Sequence, residues 1–131
     1  MKTPRAPRRK PTDSELEILR VLWSRGPSTV RDVAAVLERE SGYTTILKLL
    51  QIMTEKGLVV RDETARTHVY QAASTQDETQ RQLVRDLMAR AFDGSASKLV
   101  VQALASGKAS PAELDEIRKL LDTHRSARGE R

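Results

Sequence analysis

Residues 43–56 read YTTILKLLQIMTEK, and this stretch decides the fold. Its apolar residues Ile46, Leu49, Leu50 and Met53 recur at i, i+3, i+4 and i+7, one stripe of an α-helix. At ~100° per residue the opposite face collects Thr44, Lys48, Gln51 and Glu55, with Thr45 and Ile52 on its flank. Hydroxyls, an ammonium and a carboxamide along one exposed side suit the base edges and phosphates of a DNA major groove. The same pattern also describes an ordinary amphipathic surface helix. Its setting separates the two.

Upstream, Pro11 closes a basic arm, and Thr12-Asp13-Ser14-Glu15 is a capping box that predicts a helix start. Leu16, Leu19 and Trp23, with Ile18 and Leu22 beside them, are the expected buried face, and Gly26-Pro27 ends the helix. A short segment, Ser28-Thr29-Val30, leads to a second helix expected near Arg31–Arg39, with Val33, Val36 and Leu37 inward. Ser41-Gly42 breaks the chain before the 43–56 helix, which Gly57 ends. The period then changes from 3.6 to 2. Leu58–Arg61 and Thr67–Tyr70 read as β-strands around a polar tip, Asp62–Arg66. Helix, short strand, helix, helix and hairpin in about sixty residues is the plan of a winged helix-turn-helix.

A second region follows. Thr75-Gln76-Asp77-Glu78 is another capping box, opening a helix to about Phe92 with Leu83, Val84, Leu87, Met88 and Ala91 on one broad face. Ser95 caps a shorter helix carrying Leu99, Val100, Ala103 and Leu104, which ends at Gly107. Ser110-Pro111-Ala112-Glu113 starts a last helix presenting Leu114, Ile117, Leu120 and Leu121, with a polar tail from Thr123. Three helices in about fifty residues stand near the lower limit for an independent core. Pairing with the same helices of a second copy is therefore expected, through Leu83, Leu87, Met88, Phe92, Leu99, Leu104, Leu114, Ile117 and Leu121. An intramolecular bundle against the winged helix is the alternative.

The expected fold is mainly α with a small β-wing. Its parts are a basic arm (1–11), a winged-helix DNA-binding domain (12–73), a helical dimerisation domain (74–123) and a polar tail (124–131).

Composition narrows the function. The chain has 131 residues and no cysteine, which excludes disulfides and thiolate metal sites. No apolar run approaches the ~18 residues that span a bilayer. MKTPRAPRRKP leads into no apolar h-region, so a soluble, cytoplasmic protein is expected. Five of the 23 basic residues, Lys2, Arg5, Arg8, Arg9 and Lys10, precede the first acid, Asp13; the remaining 18 are balanced by 18 acids. A loose basic arm on a neutral body suits either a tether to phosphate or a solubilising tail.

Catalytic constellations are missing. His68 on a wing strand and His124 in the tail have no spaced partner, and glycines occur as single breakers, not as a phosphate loop. Asp77 with Arg81, Asp86 with Arg90, and Asp115 with Lys119 are i to i+4 pairs of a solvated face. Neither an enzyme nor a cofactor is expected. Four aromatic residues, with Trp23 and Phe92 expected inside, are too few for single-strand stacking on RNA.

Glu15-Leu16-Glu17-Ile18-Leu19 leading to Leu22-Trp23, Tyr43-Thr44-Thr45-Ile46, Lys56-Gly57-Leu58-Val59, and Ala65-Arg66 ahead of Val69-Tyr70 together resemble the penicillinase-repressor family. The resemblance covers nearly all of the chain after Pro11. It implies a homodimeric repressor on inverted-repeat operators of duplex DNA, displaced when a membrane sensor-protease system is triggered. It places Tyr43, Thr44, Thr45 and Lys48 in the major groove and Arg66 at the wing tip on backbone or minor groove. Periodicity adds Gln51. Lys48, Arg61 and Arg66 are the expected phosphate contacts, with Arg8, Arg9 and Lys10 of the arm.

Three positions depart from the family pattern. Ile52 stands where a basic residue is common. Gln102-Ala103 stands where the β-lactam-responsive branch is cut at Asn-Phe. The C-terminal cysteines of the copper-responsive branch are absent. A winged helix that uses the same face for a protein partner, or a ligand-responsive regulator of another family, are the alternatives.

Overall fold

The computed structural model describes residues 10–37 and 42–129, so Arg8, Arg9 and the expected helix end at Arg39 lie outside the described residues. Helix α1 spans Asp13–Arg25. Thr12 Oγ1 accepts from the Glu15 N–H at 3.2 Å, and Glu15 Oε1 accepts from the Thr12 N–H at 2.9 Å. Gly26, at φ 92°, ends it in a conformation that L side chains rarely adopt. Helix α2 (Val30–Leu37) starts one residue earlier than expected. Thr29 and Asp32 exchange backbone-to-side-chain bonds, both 3.1 Å, and so cap it reciprocally. With Asp rather than Glu or Gln at the third position, this box does not match the usual sequence signature.

Helix α3 (Gly42–Lys56) buries Ile46, Leu50 and Met53, with Leu49 partly buried beside them. Past Lys56 the chain turns on Gly57 at φ 83°, and the Leu58 N–H reaches back to the Met53 carbonyl at 2.9 Å, a Schellman closure. Leu58 is thereby tied to the helix end. The first wing strand accordingly begins one residue later than the alternation suggests. Strand β1 (Val59–Asp62) pairs antiparallel with β2 (Val69–Ala72), in register Val59 with Ala72 and Asp62 with Val69. The wing loop is thus 63–68, and His68 belongs to it rather than to a strand. On the other side of β2, Ser28 bridges Tyr70 through two backbone bonds of 2.9 and 2.8 Å. The turn after α1 is thereby tied to the two-stranded wing by a single-residue bridge.

Five elements share one core. It joins Ile18, Leu19, Val21 and Leu22 of α1, Val30 and Val33 of α2, the α3 stripe, and Leu58, Val59 and Tyr70. Leu16 and Trp23, expected inside, are only partly buried, and Val21 takes an inward place instead. Val36, also expected inward, is 49% exposed. The geometry of α2 explains this. Val30 and Leu37 lie about 40–60° to one side of Val33 around the helix, and Val36 lies about 60° to the other side. The indole N–H of Trp23 donates to the Ser74 carbonyl at 2.9 Å, fixing the chain where it leaves β2.

Helices α4 (Gln76–Ala91), α5 (Ala96–Ala105) and α6 (Pro111–Ala127) follow. Thr75 with Glu78, Ser95 and Ser110 cap them as expected. Helix α6 runs past Thr123, so His124 is helical rather than part of a polar tail. The chain divides into two compact units, one ending at Leu83 and one beginning at Val84.

Candidate nucleic-acid interface

The outer face of α3 is built by subtraction. Once Ile46, Leu50 and Met53 are committed to the core, the 3.6-residue period turns Thr44, Lys48, Gln51 and Glu55 to solvent, and all four are exposed. Thr45 is half-buried on the flank, and Ile52 is 38% exposed. Tyr43, in the first turn, is 49% exposed, with the Arg31 guanidinium of α2 6.0 Å from its ring centroid. Sequence reasoning passes over Arg31. Its one signal there is a basic side chain in the first turn of the helix preceding the candidate reader.

One ion pair fixes the far end of α3. Lys56 Nζ lies 3.0 and 2.9 Å from the two carboxylate oxygens of Glu15, whose side chain is 3% exposed. The last turn of α3 is thus fastened to the first turn of α1. Glu15 is invisible as a core residue in sequence, because its partner lies 41 residues away.

The wing supplies the remaining cations. Arg61, on β1, is half-buried and its Nε donates to Glu63 Oε2 at 2.6 Å. Tyr70 first, and then Glu63, raise its pKa above the ordinary arginine value, so it is firmly charged. To meet a phosphate, Arg61 must exchange Glu63 for it. Arg66 is exposed in the wing loop. That loop is ordered by Asp62, whose Oδ1 accepts from the Thr64 N–H at 2.9 Å and the Thr64 hydroxyl at 2.8 Å; these bonds lower its pKa. Lys10 is exposed ahead of α1.

Helices α4, α5 and α6 contain no buried residue. Leu87, Leu104, Leu114 and Leu121 are exposed, and Leu83, Met88, Phe92, Leu99 and Ile117 are half-buried. Val101 and Leu120 add to the open apolar surface at 58% and 57% exposure. Among the described residues, no cluster of three or more His, Cys, Asp and Glu could hold a metal ion. Among those same residues, no helix is long and apolar enough to cross a membrane.

The penicillinase repressor family aligns with residues 11–123. The chain is 30% identical over 122 residues to a transcriptional regulator BlaI of Mycobacterium tuberculosis, covering 91% of this chain and 88% of the relative. It is 22% identical over 121 residues to a penicillinase repressor of Bacillus licheniformis, covering 91% and 94%. A match over this span, joined to a winged helix and three further helices, shows that the chain belongs to the penicillinase repressor family of transcriptional regulators.

Proposed function

We propose that this protein is a homodimeric transcriptional repressor that binds an inverted-repeat operator in duplex DNA. The observation that carries the reading is the two-sided α3, whose apolar stripe is sunk in the core while Thr44, Lys48 and Gln51 stand in solvent. Each subunit inserts this face into one major groove, with half-sites about one helical turn apart. Tyr43, Thr44, Thr45 and Gln51 meet base edges. Lys48, Arg61 and Arg66 meet phosphates, and Arg8, Arg9 and Lys10 tether the arm to the backbone.

In this reading residues 12–73 bind DNA and residues 74–123 pair the subunits. The open apolar residues of α4–α6 are what a second copy covers. A water-exposed leucine surface of this extent costs about 25 cal/mol for each Å² left uncovered. A membrane sensor-protease system is one candidate partner class for release. Gln102-Ala103, exposed on α5, lacks the Asn-Phe pair cut in the β-lactam-responsive branch. Mass spectrometry after induction separates proteolytic release from release by a ligand or a partner.

The test is a mobility shift and footprint on the DNA upstream of the protein's own gene, combined with sedimentation. A protected palindrome bound by two chains is expected, and Lys48→Ala should weaken it. No protection on any genomic fragment, or a monomer at micromolar concentration, would overturn the reading.

A further inference from the structure

We propose that Arg31, lying over the Tyr43 ring, is a phosphate-binding residue of this protein, reached through α2 rather than through the recognition helix or the wing. The inference rests on the DNA-binding reading above and adds a contact that periodicity along α3 cannot disclose.

Arg31 stands in the first turn of α2, exposed, with its guanidinium 6.0 Å from the centroid of the Tyr43 ring. That ring opens α3, one residue before Thr44. Arg31 is therefore held beside the end of α3 that enters the groove. In a helix-turn-helix the helix before the reader crosses the DNA backbone, so a cation at this place faces phosphates.

The local electrostatics leave its charge available. The adjacent acid, Asp32, is turned to its own helix start. Its Oδ2 accepts from the Thr29 N–H at 3.1 Å, and its Oδ1 lies 3.6 Å from Arg25. No carboxylate among the described residues pairs with Arg31. This contrasts with Arg61, whose Nε is held by Glu63 at 2.6 Å. The Tyr43 face costs Arg31 none of its hydrogen-bond donors. Guanidinium N–H groups lie in the ring plane and project past the edge of the aromatic partner, where a phosphate oxygen can take two of them. The cation–π contact also biases a long side chain toward this end of α3 before binding, which lowers the ordering cost of the contact.

The contact is to the backbone, so it strengthens binding to every duplex alike. The experiment compares wild type, Arg31→Ala, Arg31→Lys and Arg20→Ala on the operator and on a scrambled duplex across 50–300 mM salt. Arg20 is an exposed arginine of α1 and controls for net charge. Arg31→Ala should weaken both duplexes by the same factor and make the slope of log K against log salt shallower by about 0.9 per subunit. Arg31→Lys, keeping the charge without the planar guanidinium, should fall between the two. Arg20→Ala should match wild type.

If wild type binds the operator and Arg31→Ala retains both affinity and slope, this inference alone fails. Loss on the operator with no change on the scrambled duplex also overturns it, since the residue would then read bases. If wild type binds no duplex, the DNA-binding reading falls and takes this one with it. Circular dichroism melting of each variant at wild-type temperature shows that the change lies in binding, not folding.

Discussion

Removing the ammonium of Lys56 should destabilise the winged helix strongly, because it leaves the Glu15 carboxylate buried without its counter-charge. Lys56 Nζ contacts both oxygens of Glu15, at 3.0 and 2.9 Å, with side-chain exposures of 18% and 3%. In Lys56→Met the carboxylate stays buried and keeps only the Thr12 N–H at 2.9 Å. Deleting one partner of a buried pair costs ~3–5 kcal/mol, and the partial exposure of Lys56 puts this case near the lower end, about 3 kcal/mol. For a unit of this size that is a fall in melting temperature of roughly 12–24 °C.

The paired change Glu15→Leu with Lys56→Met removes both charges and should recover most of the loss, because apolar replacements of a buried pair are often neutral. It gives up the Glu15 half of the α1 capping box, about 1 kcal/mol. Glu15→Leu alone gives up that same capping bond, so the double-mutant cycle should return a coupling of about 3 kcal/mol. Urea melts of the four proteins at pH 7 measure it. A Lys56→Met midpoint indistinguishable from wild type, or simple additivity, would refute the claim that this pair fastens α3 to α1.

Other consequences can be checked separately. Leu50→Ala, at a fully buried position of the α3 stripe, should lower unfolding free energy by ~2–5 kcal/mol in the same urea melts. Asp32 has a pKa lowered first by the Thr29 N–H, so it adds stability above the ordinary carboxyl value of 3.8, and that contribution is lost as pH falls from there through the lower folded value. Asp32→Asn should therefore trail wild type by a constant margin at pH 5–7, and the gap should narrow as pH falls below 3.8; a gap that widens in acid would contradict this. Leu87→Glu with Leu121→Glu, on α4 and α6, should shift sedimentation from two chains to one while leaving the Trp23 signal of the N-terminal unit unchanged.

What was legible in the sequence follows from where each instruction is written. The α3 stripe and the start of α1 use partners three to seven residues apart, so local spacing discloses both faces of α3 and the Thr12–Glu15 box. The wing boundaries were displaced because Leu58 serves the Schellman closure, a demand of the preceding helix that alternation along the strand does not contain. Val36 reads as inward by composition alone, yet α2 meets the core along an arc too narrow to include it. Of the candidate contacts, Thr44, Lys48 and Gln51 follow from periodicity. The Glu63 hold on Arg61 and the placing of Arg31 over Tyr43 exist only once distant turns are brought together.

The chain holds a single tryptophan, and its indole donates to the carbonyl of Ser74. Tryptophan fluorescence from this protein therefore comes from one address, beside the segment between β2 and α4. An environment change there registers as a colour shift without any dye, label or engineered probe. The molecule carries its own optical gauge of the place where α1 holds the chain leaving the wing.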